Sequence, residues 1–128
     1  MFAESTESMF TGDFWQAFDH LLAESEIVID RPRGSAHPRY PDTIYPLDYG
    51  YLQGTTSQDG AEIDLWRGSQ PSEQITALII TVDLQKRDTE VKLLLGCTPE
   101  ESQLIRAFHD SFAQGGLQSA LLVFRDDQ

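Results

Sequence analysis

The chain is 128 residues long and carries 21 acidic against nine basic side chains, a formal net charge of −12. That charge repels polyanions and excludes generic binding to nucleic acid or to an anionic membrane surface. With 40% hydrophobic and 10% aromatic residues the chain can build a real core, which excludes wholesale disorder, and the length suits a single domain over 1–128. No apolar run approaches the roughly 18 residues of a membrane span. The first 24 residues contain no Lys or Arg, unlike the start of a signal peptide, and the lone Cys97 has no internal disulfide partner. A soluble, reduced, cytoplasmic protein is expected.

In chain order, residues 1–12 read as a loose lead-in. An accessory helix is predicted over 13–24, capped by Thr11 or Asp13, with Phe14, Phe18, Leu21 and Leu22 on one face. Residues 26–30 (EIVID) have the β-branched content of a strand. The stretch 31–42 (RPRGSAHPRYPD) is too punctuated by proline and glycine for regular structure throughout. Residues 44–53 alternate as a strand, with Gly50 marking a bulge or a close backbone approach. Asp59-Gly60 signals a turn before a strand through 61–66, and two further strands fall at 74–83 and 89–95 around the loop LQKRD. Thr98-Pro99-Glu100-Glu101 is a capping box opening a helix over 99–113, with Leu104, Ile105, Phe108 and Phe112 on one face and Gly115-Gly116 as its stop. A strand at 120–124 follows. The expected fold is mainly β with α: a small barrel of five or six strands flanked by an N-terminal and a C-terminal helix, with barrel and second helix within 26–125.

Two strands concentrate acidic groups. Period-2 alternation puts Glu62 and Asp64 on one face, with Asp59 at the preceding turn, and puts Asp88, Glu90 and Lys92 on one face of the second strand. Facing a common cavity, these five carboxylates would need counter-charge, and Mg²⁺ shared with phosphate oxygens is the usual remedy. Arg31, Arg33, Arg39 and Lys92 would then hold the anion. The plainer alternative is that such alternation is merely the solvated face of a sheet. On the same footing Tyr45, Tyr49 and Tyr51 are core or rim residues, Asp48 is exposed at a strand edge, and His20 and His109 lie on helix surfaces.

The pair YPLDYGY at 45–51 and DGAEID at 59–64 resembles the signature of the soluble inorganic pyrophosphatases of family I, which carry Tyr-Pro-x-Asn-Tyr-Gly-Tyr and then Asp-Gly-Asp-Pro-x-Asp at the same separation. The upstream IDRPRGSAHPRY is similar to the corresponding stretch of short bacterial pyrophosphatase-like proteins, and the likeness spans roughly residues 26–96. It implies a five-stranded barrel of the OB type, dependence on Mg²⁺, homo-oligomer formation and hydrolysis of pyrophosphate to two phosphates. By position it implies metal ligation by Asp59, Asp64, Glu90 and Asp30. It implies phosphate binding by Arg31, Arg33, His37, Arg39, Tyr49 and Lys92.

The family's acidic residue directly after Asp-Gly, a candidate general base, is Ala61 here, which leaves Glu62 as the nearest substitute in a catalytic set of Glu62, Lys92 and Tyr49. Asp48 replaces the family's asparagine, and the second helix offers only Arg106 as a cation in place of a Tyr-Lys pair. Three readings follow: a pyrophosphatase slowed by Ala61, a hydrolase of a nucleotide or other organic diphosphate, or a catalytically silent barrel that binds metal or phosphate.

Overall fold

The computed structural model describes residues 12–110 and 117–125. Helix α1 (Phe14–Ala23) precedes strands β1 (Glu26–Arg31), β2 (Asp48–Gln53), β3 (Ile63–Arg67), β4 (Ile75–Asp83) and β5 (Asp88–Leu95), then helix α2 (Pro99–His109) and strand β6 (Gln118–Phe124). The strands form one mixed sheet in the order β1-β2-β3-β5-β4-β6, in which only β3 and β5 run parallel. The outer strands β1 and β6 do not pair with each other, so the OB-like barrel with its two flanking helices is open rather than closed. Among the described residues no helix is long and apolar enough to cross a membrane.

Both helices begin as their sequences demand. Asp13 accepts from the Gln16 N–H while the Gln16 side chain returns the bond, and Thr98 and Glu101 do the same ahead of Pro99. The face of α1 is shifted by one residue from the expected one: Trp15 and Leu22 are buried, whereas Phe14 is 62% exposed. The reason is tertiary. Trp15 lies under the Arg125 guanidinium, and Asp19, one turn on, binds Arg125 and the Ile75 N–H, so these positions set which side faces inward. Helix α2 ends at His109, with Asp110 as its C-cap. Thr11, Phe112 and Gly115-Gly116 fall outside the described residues.

Alternation along the strands divides the core in two. Leu52, Leu65, Ile75, Leu78 and Leu93 pack with Trp15 and Leu22 of α1. Tyr49, Trp66, Ala77, Ile79 and Leu94 pack with Ile105 of α2 on the other face. The polar end of this second face carries the site. Gly50 is a true close approach: a Cβ there would lie 1.8 Å from the Val28 carbonyl oxygen. The strands at 44–53 and 61–66 both begin later than expected, at Asp48 and Ile63. In the first case residues 35–45 pair with themselves instead, through the Ala36–Ile44 bridge and the bonds from Tyr45 N–H to Ser35 and from His37 N–H to Thr43.

A candidate phosphate and metal site on one sheet face

A cavity of about 550 Å³ opens above β2, β3, β5 and β4, walled by α2 and by the 35–45 segment. Its floor is a bonded group from three strands. The buried Tyr49 hydroxyl donates to Asp64 Oδ2 at 2.6 Å, and Lys92 Nζ donates to Tyr49 Oη at 2.9 Å, Asp64 Oδ2 at 3.0 Å and Glu90 Oε1 at 2.8 Å. Burial opposes the Lys92 charge, but Tyr49, Asp64 and Glu90 outweigh it and hold the ammonium protonated well above the ordinary lysine range. Burial, seconded by Asp64 against the partial relief of Lys92, pushes the Tyr49 phenol up, so it remains a neutral donor.

One wall is cationic. The register of β1 slips between Ile29 and Arg31, leaving Asp30 as a bulged residue, and both Asp30 and Arg31 consequently line the cavity. Arg31 binds the Tyr45 hydroxyl and lies over the Tyr45 and Tyr49 rings. Arg39 and His37 come from the 35–45 segment and Lys86 from the β4–β5 turn. Burial and then the charges of Arg31, Arg39 and Lys86 lower the pKa of His37, which places three cations around one imidazole. Among the described residues none of these three cations forms an ion pair. In a chain so acidic, that clustering favours an anionic ligand.

The back of the cavity holds groups that the sequence reading missed. His109, expected at the surface, is 4% exposed: Trp66 Nε1 donates to its Nε2 at 3.2 Å, and its Nδ1 lies 2.9 Å from Gln118 Oε1. The Trp66 bond leaves the ring proton on Nδ1, which donates to Gln118, whose amide reaches Asp83 Oδ2 at 3.4 Å. Burial, then the Lys92 charge, lowers the His109 pKa to about 4. A signal for Asp83 and Gln118 was present, since each continues the inward alternation of its strand, Ala77-Ile79-Thr81-Asp83 and Gln118-Ala120-Leu122.

Of the expected site residues, Asp30, Arg31, His37, Arg39, Tyr49, Asp64, Glu90 and Lys92 reach the cavity. Asp59, Glu62 and Arg33 do not line it. Asp59 Oδ1 accepts from Ser57 Oγ at 2.6 Å and from the Ala61 N–H at 3.0 Å, which depresses its pKa and folds the 54–62 loop onto itself around Gly60 at φ +89°. Glu62 is exposed and precedes β3, so strand alternation never governs it. Arg33 is exposed, and its N–H is taken by Asp48, which is therefore a loop anchor rather than a bare edge residue.

Among the described residues no three His, Cys, Asp or Glu side chains group as a metal cage. Magnesium does not require one, because it commonly keeps waters and takes one or two carboxylates together with substrate phosphates. Lys92 occupies Asp64 Oδ2 and Glu90 Oε1, leaving Asp64 Oδ1 and Glu90 Oε2 as hard oxygen donors beside the cationic wall. The donor set fits a magnesium ion arriving with a phosphate ligand.

No family model and no curated protein matches the chain. Solved structures do match. An inorganic pyrophosphatase from Helicobacter pylori has a TM-score of 0.57 at 14% identity, over 80% of this chain and 84% of that one. One from Coxiella burnetii has a TM-score of 0.55 at 15% identity, over 78% and 84%, and one from Neisseria gonorrhoeae 0.53 at 15%, over 77% and 80%. This is the inorganic pyrophosphatase fold. The likeness reaches beyond residues 26–96, where the sequence motifs end, to most of the chain.

Proposed function

We propose that the chain hydrolyses inorganic pyrophosphate to two phosphates in a magnesium-dependent reaction. The observation that carries the proposal is the pairing, within one cavity, of a cationic wall (Arg31, Arg39, Lys86) with an acidic floor (Asp64, Glu90) on a pyrophosphatase fold. The cations would hold and neutralise the phosphate oxygens, with Arg31 fixed by Tyr45 so that its orientation is set before the anion arrives. Asp64 and Glu90 would hold the divalent ion through their remaining oxygens, and Asp30, beside Arg31 in the cavity lining, would meet an additional ion. When bound, that ion supplies charge neutralisation and an acidified water. Tyr49, kept neutral by burial, orients Asp64 by donating to it. The proposal includes a cytoplasmic setting and a homo-oligomer.

Phosphate release from pyrophosphate with and without Mg²⁺ tests this reading. Activity should need the metal and fall by at least roughly 10²-fold in Asp64→Asn, within the range for groups that stabilise transition-state charge. Full activity in that variant would overturn the assignment. With Ala61 in the family's acidic position and Glu62 outside the cavity, turnover should lie roughly 10²–10⁴-fold below that of a site with a positioned base. The same observation favours a second reading, a barrel that binds pyrophosphate and does not cleave it. Calorimetric binding without phosphate release would select it.

A further inference from the structure

An ammonium has three N–H donors and no acceptor. All three of Lys92's are spent on the protein, on Tyr49 Oη, Asp64 Oδ2 and Glu90 Oε1, and the side chain is 9% exposed. Two carboxylates brought to one point repel each other and require a positive charge between them. In a metal-dependent site a divalent ion would supply it; here the charge is covalently attached. The Tyr49 hydroxyl accepts from Lys92 and donates to Asp64 at 2.6 Å, closing a bonded ring across β2, β3 and β5. To reach a phosphate, Lys92 would have to abandon one of three partners in a poorly solvated place, while Arg31, Arg39 and Lys86 stand nearby with no ion pair among the described residues.

We propose that Lys92 is a built-in counter-cation that keeps Asp64 and Glu90 together without metal, and that it is not a phosphate ligand. This departs from the phosphate-binding role that the resemblance implies for Lys92. It rests on the hydrolase reading only in taking those carboxylates as the ones that later meet magnesium. The metal-free chain would thus fold with its site already shaped, and magnesium would add to that site rather than create it.

The test is thermal unfolding of the whole chain in chelator and in magnesium alone, wild type against Lys92→Met. The wild-type midpoint should rise by only a few degrees in magnesium, the linkage gain of an ion added to a site already formed, and a collapse of the wild type in chelator would overturn the proposal. The K92M midpoint should fall by about 5 °C in chelator, because two carboxylates that are each about a third exposed lose their shared cation, and magnesium should recover most of the loss. A K92M chain that melts like wild type in chelator, or whose loss magnesium does not repair, overturns the proposal. Should K92M not fold in chelator, recovery by refolding with magnesium or by adding Glu90→Gln supports it, and failure of both overturns it. No turnover is read, so a chain that releases no phosphate yet shows the metal rescue loses the hydrolase reading and keeps this one.

Discussion

The imidazole of His109 accepts from Trp66 and gives its own proton to Gln118, whose amide turns toward Asp83. Burial keeps this ring neutral down to about pH 4, whereas in the unfolded chain it takes up a proton near 6.5. Because the unfolded state binds the extra proton across that interval, stability is fully present above it and falls as pH drops through it, by about 3 kcal/mol. Urea unfolding followed from neutral pH down to pH 4 should show this slope in the wild type and a flatter one in His109→Gln. Equal slopes would place the acid sensitivity elsewhere. At this scale the chemical types were legible and their neighbours were not. Tyr49, Asp64, Glu90 and Lys92 were picked out by alternation and motif, and they do meet in one bonded group. His109 is buried rather than on the helix surface expected of it, because a helix position does not say which strand residue stands opposite, and Trp66 lies 43 positions away.

Strand and helix types were readable along most of the chain, since each rests on contacts only a few residues long. Gly50 shows that a single residue can mark a close approach whose other side, Val28 O, lies on a different strand. With Val28 O where its Cβ would go, Gly50→Ala should force β1 from β2 and cost at least about 2 kcal/mol, measured as a lowered urea midpoint with an unchanged denaturant slope. A near-normal midpoint would mean that β1 shifts without penalty. The displaced start of β3 has the opposite lesson. Asp59-Gly60 was legible as a turn, but the side chain of Asp59 bonds Ser57 and Ala61, and those local bonds compete successfully with the ladder through Ala61 and Glu62. Alternation counted from the turn thus assigned Glu62 to a face it does not occupy.

An ion pair joins the two ends of the described chain. Arg125, 2% exposed at its side chain, meets Asp19 at 2.9 Å across 106 positions, and Asp19 also accepts from the Ile75 N–H. Asp19→Asn should lower the stability of the whole molecule by about 2 kcal/mol, read by thermal or chemical unfolding with fluorescence of Trp15 and Trp66 lost together. Separate transitions for the two tryptophans would show instead that α1 opens by itself. The amino-acid sequence alone determined the acidic, apolar-cored character of the chain, its turns and caps, and a pattern resembling the pyrophosphatase signature, because each depends on residue type and short spacing. Only the folded sheet decided which charges meet. Parallel pairing of β3 with β5 and the bulge at Asp30 bring Asp64, Glu90, Lys92 and Arg31 to one cavity, while the 54–62 loop withholds Asp59 and Glu62 from it. Charge pairing falls off over a few ångströms, and distances of that size between residues far apart in sequence exist only once the strands have paired.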